Sequence, residues 1–386
     1  MDTFDPETPL PGAPDPWAGS EMPARRDGPP YAMTEMIAAE PALAERLLRR
    51  LSDDPALGRA AEAIRTAATA DGPIITTGCG TSEHAAMIAA ELLTDALDAT
   101  TVWPMQALEV ARRPPRGGLL LAVSHEGGTW ATNEALKAAS AAGSTTALIT
   151  VSDRSPAAAL SDHVIATQEQ DQSWCHTVGY LSPVIAAAAL AGVLRDKPID
   201  PVVARALLEA AGHEPTAEAA AAGLAGCSRL LIVGSGIDYP AARELALKIE
   251  EGARLPASAL QLETIRHGHL AAVDAQTGLV MLLTDAEGWG ETLIERSLAV
   301  LRSARELGMP AAALIAADLG DDIPNALTPA GRLSVPLAAA LPRSAAAALA
   351  TAIPLQLLAE RLARARGKNP DGIGRDDPPQ AAAADA

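Results

Sequence analysis

One phrase occurs twice in this chain. GPIITTGCGTSEHAAMIAAELL starts at Gly72, and RLLIVGSGIDYPAARELALKIEEG starts at Arg229. Gly78 and Gly234 mark the matching turns, 156 residues apart. Each copy is a short apolar run, a glycine-rich turn and a segment of helical period. A second pair follows, LLLAVSHEGGTWATNEAL echoed by LVMLLTDAEGWGETLIERSL. Solenoid repeats recur at about 20–50 residues, so a repeat this long means two copies of a whole sheet domain.

Within the first copy the alternation continues. PIITTG reads as a buried strand, then come a helix, a strand near ATTVW, a helix around MQALEVARR, the strand GLLLAVS, the helix WATNEALKAASAAG and the strand TALIT. Strand, turn and helix in this order predict an α/β fold with a doubly wound parallel sheet in each copy. Apolar residues make up 48% of the chain but aromatics only 2%, so the core is built from Ala, Leu, Ile and Val. The 386 residues exceed a single domain of about 100–200, which agrees with two.

The expected organisation is a disordered tail over 1–30, N-terminal helices over 31–70, a first sheet domain over 71–199, a linker helix over 200–225, a second sheet domain over 226–366 and an irregular tail over 367–386. In MTEMIAAEPALAERLLRRL the helical period is broken by Pro41, which predicts a pair of helices there.

A net charge of −18 with no basic cluster argues against nucleic acid and anionic membranes as partners. The longest apolar stretch, near Val335–Ala350, contains Pro336, Pro342 and Arg343, so no membrane span is expected. The opening MDTFDPETPLPGAPDPW lacks the basic and apolar regions of a signal peptide. Cys79, Cys175 and Cys227 fit neither a disulfide framework nor a CxxC motif, which points to buried thiols in a reducing, cytoplasmic setting.

Ligands of open parallel sheets bind beyond the carboxyl ends of strands, where loops lead into helix N-termini. GCGTS puts Gly80, Thr81 and Ser82 at such a point, and SHEGGT puts Ser124, His125, Glu126, Gly127 and Thr129 at another. Hydroxyls and unpaired N–H groups there suit an anion. Spacing alone leaves a second reading open, that these residues are ordinary helix caps. In the second copy Glu244, Lys248 and Glu251 fall at i, i+4 and i+7. That pattern is commonly a solvated row of ion pairs, yet lysine is rare, with only Lys137, Lys197, Lys248 and Lys368 in the chain. RHGHL offers His267 and His269, but no further ligand stands at metal spacing, so neither a metal nor another cofactor is expected. In DQSWCHTVGYLSP, Trp174, His176, Thr177 and Tyr180 are either a ligand wall or core packing.

Taken with MTEMIAAEPALAERLL and IPLQLLAERLARARGKNPD, these motifs make the chain resemble tandem sugar-isomerase (SIS) domain proteins from about Tyr31 to Pro370. It is similar to the isomerase part of glucosamine-6-phosphate synthase and to free-standing isomerases, deaminases and deglycases. The resemblance implies two tandem flavodoxin-like, three-layer α/β/α domains holding a sugar or sugar phosphate. It implies that Gly80, Thr81, Ser82, Ser124, His125, Glu126, Gly127, Thr129, His176 and Thr177 line the site. It also implies Glu251 as the base between C1 and C2, Lys248 beside it, and His267 as a ring-opening group delivered to a neighbouring subunit, hence a homodimer.

Three departures qualify this. The relatives read S-x-S-G-E-T in the second loop, with serines on the phosphate; here Glu126 replaces one of them. No glutaminase domain precedes the repeat, so glutamine-driven amino transfer is not expected. The tail after Lys368 carries no lysine for the Schiff base formed by the synthases. The expected function is proton transfer through an enediol or enolamine. The alternative is a non-catalytic sugar sensor, favoured by Glu126 and the lysine-free tail.

Overall fold

The computed structural model describes residues 4–19, 26–98, 100–285, 289 and 291–384. The chain divides into two units. The first comprises residues 1–22, 39–172 and 178–206, and the second comprises residues 23–38, 173–177 and 207–386.

The first part of the chain is helical: α1 (Ala32–Asp53) and α2 (Pro55–Thr69). The expected break at Pro41 does not occur, because α1 runs straight through it. A proline inside a helix costs about 3 kcal/mol. Here it is offset by a row of buried side chains on either side, Met33, Met36 and Ile37 before it and Leu43, Leu47, Leu48 and Leu51 after it. The break falls at Asp54, whose carboxylate accepts the Ala56 N–H at 2.8 Å and caps α2, with Pro55 in its first turn.

In the first unit β1 (Ile74–Gly78) leads into α3 (Thr81–Ala96). Then follow β2 (Trp103–Gln106), α4 (Ala107–Arg112), β3 (Leu119–Val123), α5 (Trp130–Ala141), β4 (Thr145–Thr150), β5 (His163–Ala166) and α6 (Val178–Leu194). All strands are parallel in the order β2-β1-β3-β4-β5. The central strands are buried along their whole length, as continuous apolar runs such as LLLAV require when helices cover both faces. Ile75, Leu120, Ala122 and Leu148 pack with Val110, Ala135 and Leu136 of α4 and α5. Helices α2, α3 and α6 form the other layer.

Two helices, α7 (Pro201–Ala211) and α8 (Glu214–Leu224), stand where one linker helix was expected. The second unit then repeats the plan: β6 (Arg229–Gly234), α9 (Asp238–Lys248), β7 (Ala257–Gln261), β8 (Thr277–Leu283), α10 (Glu291–Glu306), β9 (Ala311–Ala316), β10 (Gly331–Val335) and α11 (Arg343–Ala365). Its parallel order β7-β6-β8-β9-β10 is the same as in the first sheet, strand for strand. One face packs on α10 through Val233, Met281, Ile315, Val300 and Leu301, while α8, α9 and α11 lie together in the other layer. The α/β/α architecture anticipated from the repeat is thus present twice. Helix α11 is long and apolar enough to cross a membrane, but its apolar window is entirely buried, as a core helix is.

The termini differ from expectation. Residues 4–19 of the expected disordered tail are part of the first unit and are anchored within it. Leu10 is buried, its N–H donates to Glu169 at 2.9 Å, the Gln170 N–H donates to the Pro11 carbonyl at 2.8 Å, and Glu7 pairs with Arg205 at 2.8 Å. Single anchors of this kind carry no periodic signal, and residues 1–3 and 20–25 lie outside the described ones. Toward the other end, Asp371 is buried and accepts the N–H groups of Ala32 and Met33 at the start of α1. A short α12 (Pro378–Ala384) follows within the expected irregular tail.

Candidate functional site

In a sheet of order 2-1-3-4-5 the chain reverses direction between the first and third strands, and ligands bind beyond their carboxyl ends. In the first unit the loops after β1 and β3 occupy that point. Glycine is required at two places in them. A Cβ at Gly78 would lie 2.6 Å from the Ser82 backbone, and Gly127, at φ +75°, would place one 2.2 Å from Ser155 Oγ. Gly80 turns the chain at φ +56°, and α3 starts directly after it with Thr81 and Ser82. The His125 N–H donates to Ser82 Oγ at 3.4 Å and draws the two loops together.

Several hydroxyls here are not used as caps. Thr129 stands at the N-cap of α5, yet its side chain makes no capping bond. Ser124 is buried, and its Oγ has no hydrogen-bond partner among the described residues. A buried unpaired hydroxyl costs about 1–3 kcal/mol, which a ligand oxygen would relieve. His125 is buried, and its Nε2 accepts the Asp171 N–H at 3.1 Å. An accepting nitrogen holds no proton, so in this geometry the ring is neutral and brings no positive charge to the loop. Glu126 is half-buried, its carbonyl accepts from Trp17 Nε1 at 3.1 Å, and among the described residues no cation pairs with its carboxylate.

The second unit holds the other predicted group. Glu244, Lys248 and Glu251 are not a solvated row. Lys248 is completely buried, with Nζ 3.3 Å from Glu244 and 2.7 Å from Glu251. Glu244 is completely buried as well, while the Glu251 side chain keeps 26% of its surface exposed. Burial pulls the ammonium pKa down, but the carboxylates of Glu244 and Glu251, and Cys175, outweigh it and leave Lys248 above its ordinary value. The lysine therefore stays charged and fixes Glu251 at the edge of the cluster.

A local change of helix type places that carboxylate. After Lys248, α9 gives way to one π-helical turn, Ile249–Ala253, closed by Arg254 at φ +53°. Such turns widen a helix and recur at functional sites. Cys175 then approaches from the 173–177 segment, with Sγ 3.5 Å from Glu251 Oε2. Burial pushes this thiol well above its usual pKa, so it acts as a donor. Glu244 was visible in the sequence as the i−4 neighbour of Lys248; the Cys175 contact joins positions 76 apart and had no signal there.

The remaining predicted residues are spread out. Thr177 is buried, with its carbonyl accepting from Gln356 at 3.3 Å, and His176 is half-buried. His267 is on the loop after β7, 71% exposed, and its ring bonds Glu263 at 3.2 Å rather than Glu251. Lys248 and Glu251 are thus brought together within the second unit. Gly80, Thr81, Ser82, Ser124, His125, Glu126, Gly127 and Thr129 belong to the first.

The family described as the SIS domain matches residues 69–193 and 223–363, one stretch around each sheet. A glutamine–fructose-6-phosphate aminotransferase (isomerizing) of Zymomonas mobilis is 29% identical over 221 residues, 53% of this chain. The match spans 36% of that relative's length. Among solved structures, the C-terminal domain of glucosamine-fructose-6-phosphate aminotransferase from Francisella tularensis superposes with a TM-score of 0.75 at 21% identity. It covers 89% of this chain and 99% of that one. A tagatose-6-phosphate ketose/aldose isomerase from Escherichia coli gives 0.69 at 20% identity, covering 89% and 95%. At these identities the likeness is one of fold.

Proposed function

The chain belongs to the SIS domain family, and on that premise we propose that it is an enzyme of the sugar or sugar-phosphate isomerase, deaminase or deglycase type. The observation that supports this reading is the Glu244–Lys248–Glu251 cluster, which costs several kcal/mol to bury and leaves one carboxylate oxygen edge open to a ligand. A carboxylate so held can take a proton from C1 of an open-chain ketose or its imine and return it to C2, passing through an enediol or enolamine. Lys248 orients the carboxylate and remains an ammonium throughout. The relatives named for sugar phosphates favour ligands of that class, and within the first unit the hydroxyls of Thr81, Ser82, Ser124 and Thr129 are the groups suited to an anion.

The test is exchange of solvent deuterium into C1 or C2 of fructose 6-phosphate and its amino-sugar analogues. Native protein exchanges, and Glu251→Gln exchanges about 10²–10⁴-fold more slowly. Equal rates in the two remove Glu251 from the mechanism. No exchange with any sugar that binds supports the sensor reading, which the unpaired Glu126 carboxylate favours.

His267, exposed and far from burial in its own chain, fits the ring-opening role if a second copy receives it. A cytoplasmic homodimer is the assembly that goes with this proposal. Sedimentation at micromolar concentration gives a dimer; a monomer that retains exchange ends the shared-site reading.

A further inference from the structure

The turn that carries Glu251 is covered by the segment that follows α11. Arg366 Nε donates to the Ala253 carbonyl at 3.3 Å, Arg254 pairs with Asp376 at 3.2 Å, and Pro370 faces Gly252. That segment also brings in Arg375, whose guanidinium carbon lies 4.2 Å from the centre of the Trp174 ring. Trp174 precedes Cys175, the residue in contact with Glu251. Two separate routes, one through the π-helical turn and one through Trp174–Cys175, therefore bind Arg375 to the surroundings of Glu251.

Arg375 carries an uncompensated charge. Its neighbours in the chain are Asp376 and Asp377, and Asp376 pairs instead with Arg254. Among the described residues no carboxylate pairs with Arg375. In a chain with 48 acidic and 30 basic residues, a half-buried arginine flanked by two acids and paired with neither is kept for something else. Stacking on the indole holds the guanidinium plane while leaving its N–H edge free. That edge matches a carboxylate, which it binds through two parallel hydrogen bonds. The Glu244–Lys248–Glu251 cluster has two acids to one base, so an anionic ligand group near Glu251 needs such a cation to approach.

We propose that Arg375, stacked on Trp174, anchors a carboxylate carried by the sugar derivative that Glu251 acts on, so that the substrate is a sugar conjugate with an acidic substituent near C1. This rests on the reading of Glu251 as the mark of the sugar site. A matched pair of probes tests it: N-(1-deoxyfructosyl)glycine and N-(1-deoxyfructosyl)ethylamine share sugar and amine and differ in one carboxylate. In calorimetric titration the native protein binds the glycine conjugate about tenfold more tightly. Arg375→Gln loses that preference while holding the ethylamine conjugate as before, and Arg375→Lys keeps part of it. Equal affinities in the native protein, a preference that survives Arg375→Gln, or failure to bind either conjugate overturns the proposal. Deuterium exchange at C1 of the same conjugates separates the two ideas. Exchange without preference overturns the anchor and leaves the base, and preference without exchange does the reverse.

Discussion

The two units repeat one strand order but treat the same place in it differently. In the first, Ser82 stands four residues after Gly78 and Ser124 directly follows β3. Ser82 accepts from His125, and the Ser124 hydroxyl is left without a partner among the described residues. In the second, the corresponding positions are Asp238 and Thr284. Asp238 is buried, and its carboxylate accepts the Thr284 N–H at 2.8 Å, the Thr284 hydroxyl and the Asp285 N–H. The donors that a parallel-sheet switch point offers to an anion are taken in the second unit by the protein's own carboxylate. The comparison teaches that the same switch point can be left open or filled. One unit keeps the Ser124 hydroxyl unpartnered there among the described residues, while the other fills the place with Asp238 and buries the Glu244–Lys248–Glu251 cluster around the end of the following helix.

The largest effect expected from this contrast is a pH dependence. Burial raises the Asp238 pKa from 3.8 to about 6, against the opposing hydrogen bonds from Thr284 and Asp285. Below pH 4 the group is protonated in folded and unfolded chains alike and costs nothing. As pH rises through 4 to 6 it ionises first in the unfolded chain, so the second unit loses stability across that window. Above 6 the cost is fully present, roughly 3 kcal/mol at about 1.4 kcal/mol per pKa unit. Asp238→Asn lacks this dependence. Denaturant unfolding of both proteins at pH 4, 5, 6 and 7 should show the native protein losing ground to the variant between pH 4 and 6. The new amide adds an offset independent of pH, so the difference in slope is what matters. Parallel curves would mean that the second cradle does not hold a strained carboxylate.

How much of this was legible in the sequence follows from the range of each signal. Buried parallel strands announce themselves as short apolar runs, and the glycines at 78, 80, 127 and 234 mark turns that a side chain would block or strain. The fold and both loops could be read from that local information. Lys248 and Glu251 could also be picked out, by their spacing and by the rarity of lysine. Their burial could not, because a solvated row and a buried cluster share the same i, i+4 pattern. Pro41 misled because helix breaking is a local rule that tertiary burial overrode. Asp238 carried no signal of its own in the sequence, since its partner Thr284 is 46 positions away. Within the second unit, Trp174 meets Arg375 and Cys175 meets Glu251 through contacts of the same long-range kind.

The smaller expected effect sharpens the comparison from the open side. If the first cradle receives an anion, Glu126 works against it. Its carboxylate is half-buried and without a paired cation among the described residues, and the neighbouring His125 ring accepts a hydrogen bond instead of carrying charge. Two charges about 4 Å apart interact by about 1 kcal/mol in water and more where solvent is partly excluded. Glu126→Ser should therefore tighten fructose 6-phosphate binding by about five- to tenfold, and less at high salt, where the repulsion is screened. Ser124→Ala should weaken the same binding while stability stays the same or rises by up to about 1–3 kcal/mol, because the hydroxyl it removes is buried without a partner among the described residues. Titration calorimetry with fructose 6-phosphate at two salt concentrations measures both. Tight binding by the native protein, unchanged in Glu126→Ser, would show that the carboxylate faces away from the cradle. The two units would then differ by one filled and one unhindered anion site.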